Sequence, residues 1–263
     1  MQKKYTFSDL KQIIDVLRGE NGCPWDKVQT HESLRKDMLE EAYEAVDAID
    51  KNDMENLKEE LGDVLMQVVF HSAIANENGN FTLDDVIQGI CEKMVYRHPH
   101  VFGTGNAKTP DEVLQKWETL KKQEKQIATQ TQAMKQVPVA MPALLQAQKV
   151  QKKASDVRFD FCDVFAALEK VQEEILELQQ EIKKENGNIE EEFGDILFAT
   201  VNIARFLKIN PEFALTKSTK KFINRFEYVE NAVISAEKQL SDMTPEALDL
   251  LWDKAKSALS NEH

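Results

Sequence analysis

Eight carboxylates in this chain fall into pairs three residues apart: Glu41 with Glu44, Glu60 with Asp63, Glu174 with Glu177, and Glu192 with Asp195. On an α-helix such a pair projects from nearly one side, so each is a two-pronged clamp wherever its segment is helical. Asn186, Gly187 and Asn188 read as a turn between the last two pairs, and closing that hairpin brings Glu174, Glu177, Glu192 and Asp195 together. Four converging carboxylates either splay into solvent or are held by a cation. Oxygen ligands without histidine or thiolate favour Mg²⁺, with Mn²⁺ as a substitute, over zinc. A di-iron bundle wants Glu-x-x-His, which neither of these pairs carries.

Further along, Lys221 and Arg225 stand four apart, on one helical face. Mg²⁺ leaves positions open for water and phosphate oxygens, so four acids facing a basic pair suit a polyphosphate held between metal ions and fixed cations. The expected chemistry is attack of metal-bound water on phosphorus.

The same order of features occurs twice. LEEAYE faces QEEILE, KEELGDVLMQVVF faces EEEFGDILFATVN, and EKMVYRH faces KKFINRF. Glu41, Glu44, Glu60 and Asp63 thus form a second candidate set in the amino-terminal half, with Lys93 and Arg97 as its basic pair and Trp117 standing where Trp252 stands later. Gly62 and Gly194 also coincide. A glycine inside a helix costs roughly 1 kcal/mol against alanine, so the sequence predicts a close approach there, by a neighbouring helix or by a ligand. Taken singly, each feature has a plainer reading: Glu-x-x-Glu as a solvated face, Lys and Arg as surface, Trp252 as core, His71 as a helix-face residue, and His98 and His100 as packing or capping groups. Repetition in the same order favours the chemical reading, although duplication of an ancestor also preserves it.

The elements that must position these residues are almost all helices. Glycine and proline number nine and seven in 263 residues, and apolar residues recur at three-and-four spacing. Helices are expected from Thr6 to Arg18 with Ser8 as cap, His31 to Lys51, Asp53 to Asn76, Thr82 to Arg97 and Asp111 to Gln126. A second set is expected at Ala143 to Ala154, Asp163 to Glu185, Ile189 to Leu207, Pro211 to Lys238 and Thr244 to Leu259. Residues 127–142, rich in Gln, Thr, Ala and Pro, read as a linker between domains at 1–126 and 143–263.

The composition supports a folded chain, 42% hydrophobic with a net charge of −13, which argues against non-specific nucleic-acid binding. Three isolated cysteines, Cys23, Cys91 and Cys162, suggest neither disulfides nor zinc. No stretch reads as a signal peptide or a membrane span, so a cytoplasmic protein with no membrane partner is expected.

The doubled Glu-Glu-x-x-Glu followed by Glu-x-x-Asp, with LGD and FGD, resembles the MazG family of nucleoside triphosphate pyrophosphohydrolases. GCPWD at residues 22–26 and RHPHVF at residues 97–102 resemble that family's amino-terminal half. The resemblance covers nearly the whole chain. It implies a tandem repeat of two all-α domains of four-helix type, a homodimer, and Mg²⁺-dependent hydrolysis of nucleoside triphosphates to monophosphate and pyrophosphate at the α-phosphorus. It implies Glu174, Glu177, Glu192 and Asp195 as the catalytic metal ligands and Lys221 and Arg225 as phosphate-holding groups. Glu173, Glu191 and Trp252 would line the nucleotide, the tryptophan stacking on the base. Phe161, in RFDF at residues 158–161, stands where the family carries tryptophan. Two alternatives stay open: a specialised relative acting on dUTP or phosphoribosyl-ATP, and a helical regulatory protein that binds nucleotide without turnover.

Overall fold

A computed structural model of the chain describes residues 3–107, 109–124, 128–184 and 186–259, and among them every regular element is helical. Two compact units emerge, Met1–Glu124 and Lys125–His263.

Unit 1 contains α1 (Phe7–Arg18), α2 (Pro24–Lys27), α3 (Arg35–Asp50), α4 (Met54–Glu77), α5 (Leu83–Arg97), α6 (Pro99–Phe102) and α7 (Pro110–Glu124). The antiparallel pair α3–α4 is its spine, with α1 and α5 packed on α4 and α7 on α5. Ile14, Leu34, Val69, Phe70, Ile74 and Leu83 form a buried core beneath α1. The cap of α1 is Thr6 rather than the expected Ser8. Thr6 and Asp9 exchange side-chain and backbone bonds in a capping box, which satisfies two groups, whereas Ser8 lies inside the first turn.

Unit 2 contains α8 (Gln130–Lys135), α9 (Ala143–Ser155), α10 (Val164–Ile182), α11 (Ile189–Phe206), α12 (Pro211–Ser235), a 3₁₀ turn (Leu240–Asp242) and α13 (Pro245–Leu259). Here α10–α11 is the spine, α9 packs on α11, α12 on α9, and α13 on α12. The stretch expected as linker carries α8, capped by Thr129 and Gln132 and packed against α9. The α10–α11 connection turns sharply at Gly187, where a Cβ would lie 2.0 Å from the carbonyl oxygen of Glu181. Only glycine fits there. The Asn188 amide then donates to the Glu181 carboxylate at 3.0 Å, fixing the entry of α11.

Both spines leave apolar side chains uncovered within their units, among them Tyr43 and Leu61 in unit 1 and Leu176 and Phe193 in unit 2. No helix among the described residues is long and apolar enough to cross a membrane.

Candidate metal centre and adjoining cavity

Glu174 sits midway along α10, and Glu192 and Asp195 sit in the first two turns of α11. Packing of the two helices brings one carboxylate oxygen from each within 4.8 Å of the others. Glu174 is buried, at 6% exposure, and ion-pairs with Lys170 one turn earlier at 2.8 Å. Lys170 also reaches Glu173 at 2.6 Å, and both contacts hold its ammonium well above the ordinary lysine range. Oε2 of Glu192 is buried with no hydrogen-bond partner. Burial, reinforced by the charges of Glu177, Glu174, Glu181 and Asp195, pushes the Glu192 carboxyl above its usual value. Glu177 thus belongs to the same field, although its oxygens lie outside the tight group of three.

An orphaned, buried carboxylate oxygen within a knot of like charges is what a cation would satisfy, and an all-oxygen donor set suits a hard divalent ion. The residues therefore fit Mg²⁺. Of the other expected residues, Glu191 receives a bond from the side chain of Asn188, the cap of α11. Lys221 and Arg225 lie on α12; Lys221 is exposed, and Arg225 has a buried Nε without a partner. Trp252, on α13, packs on Phe222 of α12 with ring centroids 5.0 Å apart.

Against the acids lies a cavity of about 570 Å³ whose lining includes Glu174, Asp195, Gln151, Phe159, Phe161 and Phe198. Its rim, the loop after α9, is tied down by an ion pair from Arg205 to Asp160 and by the Phe161 amide on Asp160 at 2.9 Å. Trp252, Lys221 and Arg225 are not among the lining residues. Sequence reasoning flagged Phe161 but missed Gln151, Phe198 and Asn202, because apolar or amide residues on regular helices carry no spacing signal, and Phe159, a lone aromatic in the loop after α9. Lys170 had a legible one, standing four residues before Glu174.

Unit 1 repeats the acidic geometry. Oxygens of Glu41, Glu60 and Asp63 also lie within 4.8 Å of one another. Burial and neighbouring carboxylates, Glu44 and Asp63 among them, raise the Glu41 and Glu60 carboxyls. The basic pair differs. Lys93 is exposed, but Arg97 is buried, donating from Nε and Nη2 to Glu124 at 2.8 and 2.5 Å and lying 5.4 Å over the Trp117 ring. Arg97 is therefore engaged within unit 1. Among the described residues nothing lies within 4 Å of a Cβ built on Gly62 or Gly194, so no neighbouring helix among them requires these glycines, contrary to that half of the expectation. His71 is not a plain helix-face residue either: it stacks on His31, with Nδ1 atoms 2.8 Å apart. His98 bonds the carbonyl of Met94 at 2.6 Å and touches Trp117, which is the packing role expected of it.

Comparison with known proteins gives a consistent picture. The family model for the MazG nucleotide pyrophosphohydrolase domain matches residues 29–102 and 163–230, one segment in each unit. A nucleoside triphosphate pyrophosphohydrolase/pyrophosphatase from Thermotoga maritima is 44% identical over 250 residues, covering 95% of each chain. A nucleoside triphosphate pyrophosphohydrolase from Escherichia coli K12 is 41% identical over 251 residues, covering 94% of this chain and 95% of the other. An uncharacterised Bacillus subtilis protein, YabN, is 49% identical over 254 residues, covering 96% of this chain but 52% of its own length.

Proposed function

This chain belongs to the MazG nucleotide pyrophosphohydrolase family, and from that premise we propose that it is a Mg²⁺-dependent pyrophosphohydrolase acting on nucleoside triphosphates of several bases. The observation that carries the reading is the convergence of Glu174, Glu192 and Asp195 within 4.8 Å at the edge of a cavity of about 570 Å³, room enough for a nucleoside. Glu174, Glu177, Glu192 and Asp195 would hold the divalent ion. When bound, the ion supplies positive charge against the polyphosphate and acidifies water at the site.

The protein's own groups do the rest. Fixed carboxylates set where the polyphosphate can lie, because an uncompensated phosphate cannot approach them. Lys221 and Arg225 would offset the remaining phosphate charge, and the unpartnered buried Nε of Arg225 supports that role. Glu173 and Glu191 are assigned to the nucleotide's flanks, and Trp252, which does not line the cavity, to the sugar side rather than to stacking on the base. Water oxygen bonds to the α-phosphorus, the bond to the bridging oxygen breaks, pyrophosphate leaves, and a carboxylate of the cluster accepts the water's proton. The acids of unit 1 are assigned a cation-holding role without turnover.

The uncovered apolar side chains of α10 and α11 support a homodimer. The free cysteines support a reducing compartment, the cytoplasm. Glu174→Gln and Asp195→Asn should each lower Mg²⁺-dependent pyrophosphate release by about a thousandfold while far-ultraviolet circular dichroism stays unchanged. Full activity in both variants would overturn the assignment.

A further inference from the structure

Gln151 lies on α9 at 6% exposure, and its Nε2 donates to the carbonyl oxygen of Phe198 at 2.7 Å. A carbonyl oxygen only accepts, so the amide nitrogen must face Phe198 and Oε1 must face the other way. That Oε1 is buried and has no hydrogen-bond partner. Gln151 lines the cavity beside the acid cluster, and its unmet acceptor, itself without exposed surface, lies just behind the wall of a space large enough for a ligand. An unpaired buried acceptor destabilises a fold, and one retained beside a cavity calls for a donor, from water or from a ligand.

A second amide stands on the same wall. Asn202 lines the cavity, and its Oδ1 accepts from Nε and Nη2 of Arg205 at 2.9 and 2.6 Å. A guanidinium only donates, so the Asn202 NH₂ is turned away from Arg205. Gln151 therefore offers an oriented acceptor and Asn202 an oriented donor, among the aromatic surfaces of Phe159, Phe161 and Phe198.

We propose that Gln151 Oε1 reads the base of the nucleotide by accepting a hydrogen bond from its N–H edge, with the Asn202 amide donating to the adjoining acceptor. The proposal rests on the reading above, in which the acid cluster marks the phosphate end, so the base enters the cavity. Each natural base carries a donor beside an acceptor on its Watson–Crick edge: N6–H and N1 in adenine, N4–H and N3 in cytosine, N1–H and O6 in guanine, N3–H and O4 in uracil. One acceptor and one donor thus accept all four and reject a base that has no N–H. The repeat supplies a contrast. On α4, Gln67 stands where α11 has Ala199 and Phe70 where α11 has Asn202, with the Arg18 guanidinium 5.1 Å over the Phe70 ring. Bulkier groups in unit 1 thus take the positions that border the cavity in unit 2.

The test compares ATP with purine riboside triphosphate, which is ATP without the amino group and has no N–H on its base. Binding to the full chain is measured with Ca²⁺ by calorimetry, and pyrophosphate release with Mg²⁺. The wild type should bind the analogue about 10- to 100-fold more weakly. Gln151→Met, which keeps the length and removes the acceptor, should bring ATP down to the analogue's level while leaving inhibition by tripolyphosphate, which has no base, unchanged. Equal binding of both nucleotides by the wild type, or an ATP preference that survives in Gln151→Met, overturns the proposal. Should the variant lose helical content, the wild-type comparison decides alone. Base-discriminating binding without any pyrophosphate release overturns the catalytic reading and leaves this one standing.

Discussion

Mg²⁺ should raise the melting temperature of unit 2, and Glu174→Gln should nearly remove that rise. A ligand that binds only the folded state stabilises it by RT ln(1 + [L]/Kd), about 2.7 kcal/mol when Mg²⁺ is at 100 times its Kd. Unit 2 runs from Lys125 to His263, and at about 2.1 cal/mol/K per residue its unfolding entropy is about 0.3 kcal/mol/K. The expected rise is therefore about 9 °C. Glu174 supplies one of three convergent oxygens, and losing a charged ligand worth about 2–3 kcal/mol weakens Mg²⁺ binding about 100-fold. At the same Mg²⁺ concentration the variant then gains only about 0.4 kcal/mol, or about 1–2 °C. The metal-stripped baseline should move by a few degrees at most. Lys170 keeps its contact with Glu173 at 2.6 Å, and the substitution removes one of the charges that burden Glu192. Differential scanning calorimetry with chelator and with Mg²⁺ measures both increments. An equal Mg²⁺-dependent rise in the wild type and Glu174→Gln would refute the cluster as the cation site.

The matched variant Glu41→Gln should leave pyrophosphate release within about twofold while removing Mg²⁺ stabilisation of unit 1; a catalytic loss equal to that of Glu174→Gln would show that unit 1 turns over substrate. Carboxyls raised in the folded state, Glu192, Glu41 and Glu60, keep their protons longer than in the unfolded chain. Their effect on the metal-free protein is therefore destabilisation that is absent below the ordinary carboxylate range and grows as pH rises through their folded values, and Mg²⁺ affinity climbs over the same window. Melting series in chelator and in Mg²⁺ check this, and an Mg²⁺ increment independent of pH across that window contradicts it. Arg97→Ala should cost unit 1 about 2–3 kcal/mol in urea titration, from the lost Glu124 bonds and Trp117 contact, with activity kept; lost activity at unchanged stability would return Arg97 to a phosphate role. Ala199→Gln, which puts the α4 residue into the cavity wall of unit 2, should weaken nucleotide binding at least tenfold while the Mg²⁺-dependent melting shift persists.

What the sequence made legible is what local geometry determines. The three-residue spacing placed Glu192 and Asp195 on one face of α11, and Asn-Gly-Asn located the hairpin at a glycine that the Glu181 carbonyl requires. Where it failed, a non-local partner or a competing local signal decided. Arg97 and Arg225 occupy matched positions, yet Glu124, 27 residues on, captures the first. The α8 helix was hidden by its Gln-rich composition, although Thr129 and Gln132 spell a capping box. Gln151 carries no motif at all. Its meaning comes from the register of α9 on α11, which sets its nitrogen against the Phe198 carbonyl.

The same distinction accounts for how the two halves have diverged. A carboxylate clamp needs only two adjacent helices and correct spacing on each, so it persists wherever the hairpin persists, and both units retain three carboxylate oxygens within 4.8 Å of one another. A base pocket needs small side chains further along the second helix and a matching face on the helix that crosses it, conditions that no local spacing enforces. Ala199 and Asn202 meet them in α11, whereas Gln67 and Phe70 stand at those positions in α4. Burial, reinforced by neighbouring carboxylates, raises Glu41 and Glu60 in unit 1 as it raises Glu192 in unit 2, a standing cost in the absence of a cation. Gln67, one turn beyond Asp63, adds a buried oxygen without a partner to that end of α4. Acids and an unpartnered oxygen retained beside the bulky Gln67 and Phe70 are what the proposed division of labour requires, with a cation held in unit 1 and turnover in unit 2, where clamp and cavity coincide.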